Sequence, residues 1–104
     1  PLARKAYRSR PTVHAADTLG WALFRSGRPG AALPRIEEAL RLRSLDPVLH
    51  HHAAAIFFAN GQAKRAADEL GVALTHRFTL SPGQLEEALT LAAELEVAVP
   101  RLGG

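Results

Sequence analysis

The chain repeats itself with a period of 34 residues, and this period limits the possible folds more than any other feature of the sequence. Gly27 recurs as Gly61, and the apolar triplet at 22–24 recurs at 56–58. The same offset relates further residues in pairs: Ala32 and Ala66, Ala39 and Ala73, and Leu40 and Leu74. A period of this length is typical of repeat proteins, in which each repeat is one supersecondary unit stacked on its neighbours.

The apolar residues within each period are spaced for helices. Most of the 47% apolar content is Ala and Leu, which are strong helix formers. No segment alternates between apolar and polar residues for long, so we expect no β-sheet. Helices are predicted at about 13–26, 29–43, 47–60, 62–76 and 82–97, preceded by a short amphipathic helix at 2–9. The chain is therefore predicted to be all-α, with about six helices, and its short loops favour antiparallel neighbours.

Capping residues mark the starts of three predicted helices. Thr12, Asp46 and Ser81 are suitable N-caps, because their side-chain oxygens can accept a hydrogen bond from a free amide of the first turn. Gln84 follows Ser81 by three residues, which is the spacing of a capping box. These signals predict helix starts at 13, 47 and 82.

The repeated pattern resembles the tetratricopeptide repeat. That family has 34-residue helix-turn-helix units with a Leu-Gly pair, a following aromatic residue, a turn glycine and small residues in the second helix. In the first unit the pattern is carried by Leu19, Gly20, Phe24, Gly27, Ala32, Ala39 and Leu40. The second unit matches less fully, because Ala53 and Ala54 replace the Leu-Gly pair.

The resemblance implies a single domain of antiparallel helix-turn-helix units stacked as a short right-handed α-solenoid. We expect full repeats at 13–46 and 47–80, a half repeat at 1–12 and a capping helix within 81–104. Two full repeats are marginal, since about three are usually needed for stability, so the flanking parts should be structural. Because the chain begins without a methionine, we expect a fragment of a longer protein, which an export signal or another domain could precede. The compartment stays open, with the cytoplasm slightly favoured.

Small residues are expected where the helices of a repeat come close together. Gly20 and Ala32 would lie at such a crossing, and Gly27 would form the tight turn. Gly71 is a weak point in its helix, since glycine costs roughly 1 kcal/mol relative to alanine unless another helix packs closely there.

By resemblance, the first helix of each repeat lines a concave groove that holds a peptide or a partner segment. The groove residues would be His14, Asp17, Trp21, Phe24 and Arg25 in the first repeat, and Val48, His51, Ala55, Phe58 and Ala59 in the second. Trp21 is the only tryptophan, and aromatic residues contribute most at protein interfaces. The alternative is that Trp21 and Phe24 pack between neighbouring helices. Some family members clamp a C-terminal carboxylate with Lys and Asn, and Asp17 and Trp21 at these positions disfavour that ligand.

Other classes of function have little support in the sequence. Consecutive helical residues point about 100° apart, so His50, His51 and His52 do not share a face, and no Cys is present to bind a metal. We expect no metal site. The chain has no Gly-rich phosphate loop and no nucleophile-elbow motif, so we expect neither an enzyme nor a cofactor. No apolar run approaches the roughly 18 residues of a membrane span.

Two functions remain open. The first is a protein-interaction scaffold that binds a protein or peptide in the groove. The second is self-association through the last helix, or a regulatory role within a larger enzyme, because apolar residues of 85–97 cover more than one stripe. The loop at 99–102 could instead cover these residues. The four cations of the first ten residues suggest nucleic-acid contact, but a solvated helix face is favoured for so small a cluster.

Overall fold

The computed structural model describes residues 12–101 of the 104-residue chain. These residues form five α-helices and one short 3-10 helix, with no strand among them. The α-helices are α1 (Val13–Arg25), α2 (Pro29–Arg41), α3 (Pro47–Ala59), α4 (Ala63–Thr75) and α5 (Pro82–Leu95), and the 3-10 helix is Arg77–Thr79. The all-α prediction is confirmed. The expected count of about six is slightly high for these residues, because the helix predicted at 2–9 lies outside them.

The chain divides between Ser44 and Leu45 into two compact units. In the first unit α1 packs against α2, and in the second α3 packs against α4 and both contact α5. Packed helix pairs of this kind are consistent with a helical repeat. The half repeat expected at 1–12 lies almost wholly outside the described residues, and the stacking of the repeats into one domain stays a prediction.

The predicted N-caps form in the structure. Thr12 accepts a hydrogen bond from the amide three residues later through Oγ1, at 3.0 Å, and Asp46 accepts one from the amide two residues later through Oδ1, also at 3.0 Å. Ser81 and Gln84 exchange bonds between side chain and backbone at 2.9 and 3.1 Å, which completes the capping box. These bonds satisfy amides that the first turn of a helix leaves without a helical partner.

The two helix pairs correspond in their helix bounds and in the geometry of their turns. Each helix of the first pair begins and ends 34 residues before its counterpart in the second. Gly27 and Gly61 turn the chain with φ angles of +82° and +75°, the left-handed region that glycine adopts without strain. In both turns, the amide of the next residue donates to the carbonyl four residues before the glycine, at 2.9 Å. The 34-residue period of the sequence is therefore also a period of the structure.

The helices of the first unit come close at Gly20, as the sequence predicted. A Cβ atom placed at Gly20 would lie 3.3 Å from the Cβ of Arg35 and 3.4 Å from the amide nitrogen of Ile36. Ala32, Ile36 and Ala39 of α2 are fully buried. Glycine on α1 and alanine on α2 thus let the two backbones approach.

The second unit has a larger core to which α5 contributes. Its buried apolar cluster consists of Ala54, Leu70, Leu74, Leu80, Ala88 and Ala92. The predicted loop before α5 contains the 3-10 helix, and there Arg77 donates from Nη2 to the carbonyl oxygen of Pro100 at 2.8 Å. This bond connects the 3-10 helix to the segment that follows α5.

Candidate functional site

One side of α1 carries the predicted groove residues of the first repeat, which we call the α1 stripe: His14, Asp17, Trp21, Phe24 and Arg25. Their spacing of three and four residues places them along one face of the helix. His14 and Arg25 are exposed, Trp21 and Phe24 are half-buried, and Asp17 is buried. The C-terminal half of the stripe is therefore open to a partner.

Trp21 and Phe24 form a stacked aromatic pair within this half. Their ring centroids lie 5.0 Å apart and their planes differ by 24°. Stacking of neighbouring side chains fixes both rings, so that the half-buried pair presents one preformed apolar surface. Arg25 lies in the last turn of the helix and is the only Arg or Lys residue of the stripe. Its guanidinium group adds a positive charge next to the aromatic pair.

The corresponding side of α3 carries three of the five predicted groove residues of the second repeat, which we call the α3 stripe: His51, Ala55 and Phe58. The exposure of these side chains rises along the helix, since His51 is 2% exposed, Ala55 is half-buried and Phe58 is 40% exposed. In the α1 stripe the exposed His14 comes first, and the exposure then rises in the same order from the buried Asp17 to the exposed Arg25. Val48 is half-buried and packs on the core, whereas Ala59 is exposed.

His51 lies inside the second unit, where its surroundings differ from those of a groove residue. Its Nε2 atom is 3.5 Å from a carboxylate oxygen of Glu87 on α5. The neighbouring His50 contacts Glu69 of α4 through Nδ1. Two consecutive histidines of α3 thus meet carboxylates on two different helices. In this structure the ring of His51 is not accessible to a partner.

The histidine run forms no evident metal site. Between residues 12 and 101, no three His, Asp or Glu side chains come together in a way that could hold a metal ion. The rings of His51 and His52 lie 5.7 Å apart at an angle of 44°, and His50 and His52 are also buried. These side chains pack in the interior of the second unit.

The outer side of α5 is a second exposed surface, which we call the α5 face. It is a shallow apolar depression lined only by residues of this helix: Pro82, Leu85, Glu86, Leu89, Thr90, Ala93 and Glu94. Leu89 is 38% exposed, whereas Ala88 and Ala92 on the opposite side are buried in the core. Val99 of the following segment is 44% exposed and does not line the depression. The described part of the loop at 99–102 therefore leaves the α5 face uncovered.

Phe78 is an exposed aromatic residue that the sequence analysis did not single out. It lies in the 3-10 helix and is 78% exposed. The only signal in the sequence is an aromatic residue in a short link between two helices, which does not distinguish a buried anchor from an exposed ring.

Comparison of the chain with protein-family models, with curated proteins and with solved structures finds no match. The resemblance to the tetratricopeptide repeat therefore depends on the residues of this chain alone. Of the helices between residues 12 and 101, none has both the length and the apolar content that a membrane crossing requires.

Proposed function

We propose that this chain is a protein-binding repeat module of the tetratricopeptide type, whose partner docks on the C-terminal half of the α1 stripe. The observation that carries the proposal is the stacked pair of Trp21 and Phe24, which is half-exposed and lies next to the exposed Arg25. Tryptophan and arginine are enriched among the residues that dominate binding energy at protein interfaces. A rigid aromatic pair also loses little conformational freedom when a partner binds.

The repeated helix pairs support this proposal. In the family that the chain resembles, the first helices of successive repeats line the binding groove. Here the first helices are α1 and α3, and the stripe residues at the C-terminal end of each, Arg25 and Phe58, are exposed. Phe58 stands at the position of α3 that corresponds to Phe24 of α1, and 40% of its surface is exposed. The α3 stripe thus offers a second apolar contact of the same kind.

The chemistry of the α1 stripe selects the kind of partner segment. The stacked rings suit an apolar or aromatic side chain, and the guanidinium group of Arg25 suits a carboxylate that it can bind with two parallel hydrogen bonds. We therefore propose a peptide segment with an apolar anchor followed by an acidic residue.

In the test, the fluorescence of Trp21 reports binding at the α1 stripe. Peptides are selected from a displayed random library on the wild-type chain, and binding is measured by the emission of Trp21, the only tryptophan. The Trp21→Ala variant is then compared by calorimetry. We expect it to bind the selected peptides about 30-fold more weakly, the effect of losing an interface residue worth about 2 kcal/mol. Its helical circular dichroism should be unchanged, because Ala55 already occupies the equivalent position of the second repeat.

Phe78→Ala is the matched control, since it removes another exposed aromatic ring outside the stripes. It should bind the selected peptides like the wild type. Equal affinity of wild type and Trp21→Ala for every selected peptide would exclude the α1 stripe as the binding surface.

Self-association is a second candidate function, and the α5 face favours it. An apolar depression at the outer side of the last helix is a surface on which another chain can pack. Sedimentation of the wild-type chain over a range of concentrations tests this function, and a strict monomer would exclude it.

A further inference from the structure

We propose that the α5 face binds the basic segment of residues 1–11 of a second copy of the chain. The face has the composition of a docking surface for an amphipathic helix. Its centre is apolar, with Leu89 38% exposed, and two carboxylates, Glu86 and Glu94, border it. An acidic border around an apolar centre selects a segment with apolar residues between cations.

The charge of α5 is of one sign along its whole length. Between Pro82 and Leu95 the helix carries three glutamates and neither lysine nor arginine. Glu86 and Glu94 lie eight residues apart, which is about two helical turns, so their charges act along one side of the helix. Both carboxylates would attract a cationic partner segment, whereas they would not attract an acidic or neutral segment.

Residues 1–11 of the chain have the complementary composition. They contain four of the 13 Lys and Arg residues and no acidic residue, in the sequence PLARKAYRSRP. The apolar residues Leu2, Ala3, Ala6 and Tyr7 follow the spacing of a helical stripe between these cations. The segment lies outside the described residues, so its match to the α5 face is one of sequence, charge and apolar spacing.

We infer from the order of the repeats that the bound segment belongs to a second copy of the chain. This inference rests on the proposed repeat stack. In the sequence, residues 1–11 precede the first repeat and α5 follows the second, so both proposed repeats stand between them. In such a stack each unit contacts only its neighbours. The segment of one chain therefore meets the α5 face of another, which gives a head-to-tail contact that can continue into longer assemblies.

Sedimentation equilibrium of the full chain at micromolar concentrations tests the contact. We expect association that weakens at high salt, because the border charges are exposed. Glu94→Lys should weaken it about tenfold, since attraction to the cations becomes repulsion. Leu89→Asp should abolish it by placing a charge in the apolar centre. Asp68→Lys is the matched control, because it makes the same change in net charge at an exposed position of α4 and should leave association unchanged.

Charge exchange between two variants tests the identity of the occupant. Arg4→Glu with Arg8→Glu should prevent self-association, as should Glu86→Lys with Glu94→Lys. Mixing the two double variants should restore association as a mixed pair, because the unchanged α5 face of the first variant matches the unchanged basic segment of the second. A synthetic peptide of residues 1–11 should bind the wild-type chain more tightly than a scrambled peptide of the same composition.

Three results would overturn the proposal. The first is a wild-type chain that is monomeric at all concentrations tested. The second is association that Leu89→Asp abolishes but Arg4→Glu with Arg8→Glu leaves intact, since the α5 face would then pair with itself. The third is equal binding of the ordered and scrambled peptides. Trp21→Ala should associate like the wild type, so that failure of the α1 stripe as a partner site is distinguished from failure of the α5 face.

Discussion

At the scale of single residues, one glycine after the first helix of each pair allows the chain to turn. Gly27 and Gly61 have positive φ angles and no other atom within 4 Å of a Cβ atom placed there. The space around them would admit a side chain, so the need for glycine comes from the backbone conformation alone. The left-handed conformation disfavours every residue with a Cβ atom.

Gly27→Ala should therefore destabilise the chain by about 1 kcal/mol, because alanine adopts the left-handed conformation with strain. Urea unfolding followed by circular dichroism measures the change. Gly30→Ala is the control and should not lose stability, since Gly30 lies in helix α2 with no neighbour within 4 Å and an ordinary φ angle. A Gly27→Ala variant as stable as the wild type would show that the turn does not require this conformation.

At the scale of helices, glycine has different roles in α1 and α4. Gly20 faces the backbone of α2, whereas a Cβ atom placed at Gly71 would meet nothing within 4 Å. No close packing compensates for the low helix propensity of Gly71. The weak point that the sequence indicated in α4 is thus present.

Gly71→Ala should stabilise the chain by roughly 1 kcal/mol, because alanine loses less backbone entropy in a helix. Gly20→Ala should gain less or lose stability, since its Cβ atom would press on Arg35 and on the backbone at Ile36. Thermal and urea unfolding of both variants give the comparison. An equal gain at the two positions would contradict the close approach of α1 and α2.

The starts of the three capped helices could be predicted from the sequence because they depend on residues close together along the chain. The capping box joins Ser81 to Gln84, three positions away, and such local rules need no knowledge of packing. The position of His51 could not be predicted, because α3 is apolar on nearly all sides and its pattern does not indicate which side meets α5. The contact between His51 and Glu87 joins residues far apart in sequence.

The exposure of the aromatic side chains could also be predicted only in part from the sequence. Partial exposure of Trp21 agrees with its size, since tryptophan is rarely buried completely. The exposure of Phe78 depends instead on how the link between α4 and α5 is held. Arg77 bonds the carbonyl oxygen of Pro100 there, a contact that spacing in the sequence does not reveal.

At the scale of the whole molecule, each of the two units buries the residue that stands at the same position of its repeat. Ile36 and Leu70 stand 34 residues apart, and neither is exposed at all. Ile36→Ala and Leu70→Ala should each destabilise the chain by about 2–5 kcal/mol, the usual result of emptying a packed site. Leu45→Ala, at a position 66% exposed, is the control and should change little. Urea unfolding measures all three, and a near-neutral Ile36→Ala or Leu70→Ala would show that the positions are not equivalent.

The near-identity of the two helix pairs has a consequence for the way the chain folds. The helices α2 and α4 carry a similar set of buried small and branched residues, so we expect both to compete for α1 during folding. The link from α1 to α2 spans only residues 26–28, and the link from α3 to α4 spans only residues 60–62. Short links close far faster than long ones, so each helix meets its neighbour in sequence before the competing helix arrives. We therefore expect the speed of loop closure to favour the correct pairing, and lengthening either link should increase exchange of helices between chains at high concentration.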